Sequence, residues 1–207
     1  MRAASWALAL AAAPAAAQEA GDFDYYVLSL SWSPNWCALE GDAGDAQCEP
    51  SADYGWILHG LWPQYELGWP ADCRGVFADP SRRETAAMAD IMGSSGLAWH
   101  EWNRHGTCSG LSPEDYFALS REAYERVTIP PGFARLTEPE EVPARAVEEA
   151  FLRSNPDLRQ DGLTVTCQGD HLQEVRICLT RDLGPRACGE DVARDCTRPD
   201  AVIEPIP

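Results

Sequence analysis

The sequence contains no lysine. All 16 of its basic residues are arginine, and they stand against 33 aspartate and glutamate residues, so the formal net charge at pH 7 is −17. Proteins that bind nucleic acid through bulk electrostatic attraction are normally basic. The deficit of positive charge argues against that class. It bears on solubility and on the steering of ligands rather than on the fold.

Patterns typical of membrane spans and zinc sites are also absent. The apolar run from Ala3 to Ala13 is shorter than the ~20 residues that a transmembrane helix needs. No C-x-x-C pair and no H-E-x-x-H pattern occurs, and both are typical of zinc proteins. A zinc hydrolase is therefore a weak alternative, and we expect neither a metal nor a cofactor.

The N-terminal residues indicate export. Arg2 gives a short basic start, the apolar run follows, and Ala15-Ala16-Ala17 before Gln18 fits an A-x-A cleavage pattern. We expect residues 1–17 to be a signal peptide, with a transmembrane anchor as the alternative. Residues 18–207 then form one domain, located in the periplasm or outside the cell.

The mature part contains all eight cysteines. An even number in an exported chain indicates four disulfides, although composition alone does not choose among the possible pairings.

Periodicity predicts four strands, at 23–32, 56–61, 163–167 and 175–179. Capping residues, glycine and proline predict four helices, over 81–93, 97–105, 112–129 and 143–154. We therefore predict a single-domain α+β fold, with a mainly antiparallel sheet flanked by helices and stabilised by disulfides.

The stretch LAWHEWNRHGTCSG (97–110) contains two of the four histidines. In a helix, at about 100° per residue, His100 and Arg104 share one face, and Glu101 and His105 share another. His100 and His105 diverge by roughly 140°, which does not suit a metal site that needs both imidazoles on one face. His171, in the polar stretch QGDHLQ, is expected to be exposed.

The remaining histidine, His59, lies in WILHGLWPQ (56–64). Metal-free transfer at phosphorus needs a base for the attacking hydroxyl, an acid for the leaving oxygen, and donors around the phosphoryl oxygens. Histidine suits both proton roles near neutral pH, so His59 and His105 are a candidate pair. His100 and Arg104 would then bind phosphate, and Glu101 would orient His105 or balance its charge.

Together, WILHGLWPQ and HEWNRHGTC (100–108) resemble the two active-site segments of the ribonuclease T2 family, x-H-G-L-W-P and H-E-W-x-K-H-G-T-C. Their order, the single cysteine between them, the later LQEVRICL (172–179) and the C-terminal cysteines also fit. The resemblance implies a metal-independent endoribonuclease that cuts single-stranded RNA through a 2′,3′-cyclic phosphate, with possible hydrolysis to the 3′-phosphate. Its partner is then the RNA substrate, with no membrane partner, and we expect a monomer.

By position, the resemblance assigns His105 as the base and His59 as the acid. It assigns phosphate binding to His100 and transition-state stabilisation to Glu101 and Arg104. The sequence itself does not fix which histidine is the base, because the roles reverse between the two steps. Arg104 stands where the family usually has lysine, and arginine keeps the charge on a bulkier, bidentate group.

Base recognition is assigned to Trp62, Gln64 and Tyr65. Trp62 is either an exposed indole that stacks on a base or a core residue. Gln64 stands where some relatives have an acidic, base-reading residue. Tyr65 and Leu97 are weaker candidates than the other two. The predicted helical faces place Trp99 and Trp102 in the core.

The resemblance also implies a disulfide pairing, namely Cys37–Cys48, Cys73–Cys108, Cys167–Cys196 and Cys178–Cys188. Of these, Cys73–Cys108 would hold the two catalytic segments together. The main alternative from another class is a secreted module with the same fold that binds RNA or protein without catalysis. The joint presence of His59, His100, Glu101 and His105 argues against such an inactive site.

Overall fold

A computed structural model describes residues 19–42, 44–71, 73 and 75–207, so the predicted signal peptide lies outside the described residues. The strands are β1 (Tyr25–Trp32), β2 (Trp56–Gln64), β3 (Glu140–Val142), β4 (Leu163–Gln168), β5 (His171–Leu179) and β6 (Ala201–Ile203). The α-helices are α1 (Ser33–Leu39), α2 (Arg82–Ala86), α3 (Ala89–Met92), α4 (Ser95–Arg104), α5 (Pro113–Glu125) and α6 (Ala144–Ser154). Over these ranges, no helix has the length and apolar character needed to cross a membrane.

The strands form one sheet in the order β2-β1-β5-β6-β3, and β4 also pairs with β5. Every pair is antiparallel except β5 with β6. The predicted α+β fold with a mainly antiparallel sheet is confirmed. In the central strands the alternation of side chains separates two faces, because successive residues of a strand point to opposite sides. On β1, Leu28 and Leu30 enter the main core, while Ser29 and Ser31 lie on the other face.

The predicted helix over 81–93 is divided into α2 and α3. Ser81 and Glu84 form the predicted capping box at its start, and Gly93 ends α3 at φ 77°. Between the two helices the hydrogen bonding tightens, since the Met88 amide donates to the Thr85 carbonyl three residues earlier, and Met88 lies in the core at 3% exposure.

Helix α1 and strand β6 were not predicted. Pro34 lies in the first turn of α1, a position where its missing N–H costs nothing. Asn35 connects both elements to the sheet: its Nδ2 donates to the carbonyls of Leu172 (2.7 Å) and Val202 (2.8 Å), and its Oδ1 accepts from the Glu204 amide (2.7 Å). These long-range bonds order a C-terminal segment that composition alone assigns to loop.

Four disulfides are present, Cys37–Cys48, Cys73–Cys108, Cys167–Cys196 and Cys178–Cys188. They are the same pairs that the family resemblance implies.

Two single-residue predictions are wrong. Trp99 is 44% exposed, since only Trp102 faces the core. His171 begins β5 and is partly covered, with Nδ1 2.7 Å from Asp170 and Nε2 3.5 Å from Glu204.

Candidate active site

His59 lies at an irregularity of β2. The pairing register between β1 and β2 shifts at this point, and His59 has no residue opposite it. A bulge of this kind moves the alternation of side chains by one residue. Leu58 and Leu61 consequently both enter the main core, while His59 and Trp62 emerge together on the other face of the sheet with their rings in contact.

Gly60 allows a close approach between the strand and the helix above it. A Cβ atom here would overlap with Glu101 Oε2 and with Trp62 Nε1. These two atoms are joined by a hydrogen bond in which Trp62 Nε1 donates to Glu101 Oε2 over 2.6 Å. The glycine of the H-G-L-W segment is therefore required by packing.

Helix α4 supplies the second part of the site. The Ser94 hydroxyl caps its first turn by accepting a hydrogen bond from a backbone amide over 3.1 Å. Its inner face carries Glu101 and Trp102, each 1% exposed. His105 follows the helix with non-helical dihedral angles (φ −127°, ψ −44°). Because the chain leaves the helix here, the His105 side chain does not continue the face occupied by Glu101.

The chain after His105 is held by packing and by a disulfide. A Cβ atom on Gly106 would lie 2.6 Å from the Trp102 ring and 2.9 Å from the Tyr116 ring, too close for any side chain there. Two residues later, Cys108 is bonded to Cys73. The position of the His105 imidazole therefore depends on tight contacts on both sides of it.

His59 lies between two buried carboxylates. Its Nδ1 is 2.5 Å from Glu174 Oε1, and its Nε2 is 3.6 Å from Glu101 Oε1. The side chain of His59 is 33% exposed, whereas those of the two glutamates are 2% exposed. The Trp62 ring lies beside both catalytic candidates, with its centroid 5.3 Å from the His59 ring and 5.3 Å from the His105 ring.

The carboxylates favour the protonated form of His59. Burial alone would lower the pKa of His59, but the hydrogen bond and charge of Glu174, with the charge of Glu101, outweigh burial and raise the pKa above its ordinary value. Glu174 remains ionised: burial raises its pKa, but His59 and Arg176 have the larger opposite effect and lower it. Burial raises the pKa of Glu101 to about 7, although His59 and the hydrogen bond from Trp62 oppose this change.

His105 is in the opposite situation. Burial, together with the positive charges of Arg104, His59 and His100, lowers the pKa of His105 to about 3. Among the described residues, none forms a hydrogen bond with its buried Nδ1. The surroundings therefore favour the protonated form of one imidazole and the neutral form of the other, on either side of Trp62.

Two cavities border these rings. The larger, about 430 Å³, includes His59, His100 and Leu97 in its lining. The smaller, about 290 Å³, includes His105 and Arg104. His100 and Arg104 are exposed and lie one turn apart on α4, as the predicted helical face requires. Each cavity thus contains one imidazole of the pair and one exposed phosphate-binding candidate.

Of the three base-binding candidates, two border a cavity of the site and one does not. Trp62 and Gln64 line the smaller cavity, although Gln64 is only 4% exposed. The indole N–H of Trp62 is already bonded to Glu101. Within the described residues, Tyr65 packs against the core and borders neither cavity. Trp69, which was not among the predicted site residues, is 54% exposed at the smaller cavity.

Two charged residues of β5, Glu174 and Arg176, also belong to the site and were not predicted. Glu174 contacts His59, and the Arg176 guanidinium carbon lies 5.3 Å from the Trp62 ring centroid. The alternation in LQEVRICL gives one signal, since both residues face away from the core residues Val175 and Ile177. That pattern does not reveal what they contact across the sheet.

The arrangement is that of an acid–base site for phosphoryl transfer, with two imidazoles whose surroundings favour opposite protonation states, beside cationic and carboxylate groups. Comparison with known proteins agrees with this class. The model of the ribonuclease T2 family matches residues 23–188. A ribonuclease from Aeromonas hydrophila is 34% identical over 198 residues, covering 91% of this chain and 88% of its own. Ribonuclease I from Escherichia coli is 27% identical, covering 80% of this chain and 78% of its own.

Solved structures show the same fold. An RNase-related protein from Calystegia sepium aligns with a TM-score of 0.68 at 20% identity, over 89% of this chain and 97% of its own. A mutant of RNase MC1 in complex with 5′-UMP aligns with a TM-score of 0.65 at 18% identity, over 87% and 98%. The chain belongs to the ribonuclease T2 family and is an endoribonuclease.

Proposed function

We propose that the protein cleaves single-stranded RNA by transphosphorylation, with His105 as the base and His59 as the acid in the first step. The observation that carries this assignment is the difference between the two imidazoles. His59 lies between the carboxylates of Glu101 and Glu174, which favours its charged form. Burial, together with nearby positive charges, favours the neutral form of His105. A base must begin without its proton, and an acid must begin with one.

In the first step, His105 takes the proton of the ribose 2′-OH, and the 2′ oxygen attacks phosphorus. The bond from phosphorus to the 5′ oxygen breaks, and His59 gives its proton to that oxygen, which leaves a 2′,3′-cyclic phosphate. In the second step the roles reverse. His59 takes a proton from water, the water oxygen attacks phosphorus, and His105 protonates the departing 2′ oxygen to give a 3′-phosphate.

The helix supplies the groups that bind the phosphate. His100 and Arg104 project from successive turns of α4 and are exposed, so both can donate to non-bridging oxygens. Glu101, at the Nε2 side of His59, balances the positive charge that protonated His59 carries before it gives up its proton. No step needs a metal or a cofactor.

We assign base recognition to the smaller cavity. Trp62 and Gln64 line it, and Trp69 adds an exposed indole on which a base can stack. Relatives with this fold bind different nucleotides, since RNase MC1 variants have been solved with 5′-UMP and with 5′-GMP. Tyr65 packs away from both cavities, so we assign it no contact with the base.

We also propose that the protein acts as an exported monomer, in the periplasm or outside the cell, after removal of residues 1–17. The four disulfides support this location, because such bonds persist in oxidising compartments. Residues 18–207 are then the mature ribonuclease domain.

The test uses the purified, oxidised protein, a short RNA of defined sequence, and EDTA, with products identified by mass. We expect the parent to produce 2′,3′-cyclic phosphates and His105→Ala to produce none above background. Arg145→Ala, an exposed change on α6, is the control. A folded parent that binds the RNA and leaves it intact would identify a binding module instead.

A further inference from the structure

Glu174 is nearly inaccessible to solvent, yet it stands on the face of β5 that borders the larger cavity. Both of its carboxylate oxygens are engaged. Oε1 is 2.5 Å from His59 Nδ1, and Oε2 accepts from Arg176 Nε over 2.8 Å and lies 2.6 Å from its terminal nitrogen. A buried carboxylate is costly unless it is paired and hydrogen-bonded, and here one histidine and one arginine satisfy it.

We propose that Glu174 is a positioning residue for the cleavage reaction, which fixes His59 through Nδ1 so that Nε2 is the nitrogen presented to the leaving oxygen. This inference rests on the proposed function. The hydrogen bond made by one imidazole nitrogen determines which nitrogen carries the proton and how the ring is oriented. With Nδ1 engaged by Glu174, the proton that is transferred is the one on Nε2, on the side of Glu101.

Arg176 completes the arrangement. It forms two short contacts with Glu174 and lies over the Trp62 ring, with 30% of its side chain exposed. A guanidinium held by a carboxylate on one side and an aromatic ring on another has little freedom to move. Arg176 therefore fixes the rotamer of Glu174, which in turn fixes the rotamer of His59.

The charged groups that act on His59 come from two elements of the described chain. Glu174 and Arg176 belong to β5, Glu101 belongs to α4, and His105 follows α4. The two carboxylates stabilise the imidazolium, and Arg176 destabilises it. Removal of Glu174 or of Arg176 should therefore move the titration of His59 in opposite directions, which a purely structural role would not produce.

The experiment compares Glu174→Gln and Arg176→Gln in the full mature protein. For Glu174→Gln we expect kcat/KM at neutral pH to fall about 10- to 100-fold, the range expected for one hydrogen bond to a charged group. The alkaline limb of the pH profile, which reports loss of the His59 proton, should move to lower pH. Arg176→Gln should move the same limb to higher pH, and Glu174→Asp, which keeps the charge, should stay near the parent.

Glu204→Gln is the matched control, because Glu204 lies 3.5 Å from the other paired histidine, His171, away from the site. It should leave the limb unchanged. Independently of activity, ¹H–¹⁵N NMR of the parent should show that neutral His59 carries its proton on Nδ1. Because this measurement uses the parent protein, it tests the inference even if a variant does not fold.

If neutral His59 in the parent carries its proton on Nε2, the inference is overturned. It is also overturned if the alkaline limb of the pH profile of Glu174→Gln lies at the same pH as that of the parent. Either result, with a parent that cleaves RNA, would leave the proposed function intact. A parent that cleaves no RNA would remove the proposed function, and the inference with it.

Discussion

The proposed active site has two parts that are built in different ways. The strand part consists of His59 and Trp62 on β2 with Glu174 and Arg176 on β5, and its central contact joins residues 115 positions apart. The helix part consists of His100, Glu101, Arg104 and His105, all within six consecutive positions. The strand part places its imidazole between two carboxylates, and the helix part buries its imidazole near cationic side chains. The proposed division into acid and base thus rests on two different environments, one that favours the protonated imidazole and one that favours the neutral imidazole.

The strongest test of this comparison is to remove each imidazole in turn and vary the leaving group. With RNA, we expect His59→Ala and His105→Ala each to lower kcat by about 10³-fold, within the usual range for general acid–base catalysis. With a nucleoside 3′-(4-nitrophenyl phosphate), whose leaving group needs no proton, His59→Ala should recover most of its activity. His105→Ala should remain impaired, because the 2′-OH still needs a base.

Equal behaviour of the two variants with the activated substrate would contradict the assignment of acid and base. Recovery of His105→Ala alone would reverse it. His171→Ala, which changes the histidine paired with Asp170 and Glu204, should match the parent with both substrates and so controls for the loss of an imidazole as such.

The second test removes the Cys73–Cys108 disulfide, which joins the end of the helix part to the chain that follows WILHGLWPQ (56–64). Replacing Cys73 and Cys108 by serine opens a disulfide with a sequence separation of 35, and should lower the free energy of unfolding by about 4 kcal/mol. Replacing Cys37 and Cys48, with a separation of 11, should cost about 3 kcal/mol. Denaturant unfolding measures both values.

The two disulfides should differ more in activity than in stability. Cys108 lies three residues after His105, whereas Cys37–Cys48 joins α1 to a one-turn 3₁₀ helix (Ala46–Cys48) that contains no catalytic candidate. Under conditions where both variants are folded, we expect the loss of Cys73–Cys108 to lower kcat and the loss of Cys37–Cys48 to leave it near the parental value. Equal kcat values would show that the helix part keeps its geometry without the disulfide.

The two parts also differ in how far the sequence predicts them. Helical periodicity correctly relates His100 to Arg104, because positions four apart in a helix share a face whatever the rest of the chain does. It fails at His105, where the backbone leaves the helix, and Glu101 therefore meets His59 and Trp62 instead. Local sequence does not contain the reason, since Glu101 and Trp62 meet only after β2 packs beneath α4.

In the strand part, alternation predicts which residues of β1 enter the main core, although residues on its other face, such as Val27 and Ser29, are buried as well. The bulge at His59 is not predicted, because it depends on pairing with β1. Strict alternation would place Trp62 on the same face as Leu58, in the core, whereas the bulge places it beside the histidines. The sequence alone therefore leaves open whether Trp62 is a core residue or an exposed indole. Glu174 and Arg176 are missing from the predicted site for a similar reason, since their contacts with His59 and Trp62 also depend on how the strands pair.

A smaller effect is expected from Glu101, which links the two parts. Glu101→Gln keeps the shape and removes the charge next to His59 Nε2, so we expect kcat to fall about 10- to 100-fold, as for one hydrogen bond to a charged group. Glu148→Gln is a matched control. The pKa of Glu148 is also raised to about 7, by burial and by the neighbouring Asp195, but it lies on α6.

Glu148→Gln should leave kcat unchanged and alter stability alone. Because the pKa of Glu148 is higher in the folded than in the unfolded chain, its contribution to stability is present below about pH 4.5 and is lost as the pH rises through about 7. The variant should therefore gain stability relative to the parent over that interval. An equal fall in kcat for both glutamine variants would indicate a general effect of removing buried carboxyl groups.

The smallest effect should come from Arg104→Lys, which restores the residue that the family usually has at this position. Both side chains are cations at neutral pH, and Arg104 is exposed at the end of α4, where a lysine has room to reach the same phosphate. We expect kcat/KM to change by no more than about threefold, while Arg104→Gln, without the charge, should lose about tenfold or more. Arg153→Lys, at the end of α6, is the control for the exchange itself. A large loss of kcat/KM in Arg104→Lys would mean that the helix part depends on the bidentate geometry of the guanidinium. A positive charge at this position would then not be enough, and the helix part would require as exact a side-chain geometry as the contact between His59 and Glu174 in the strand part.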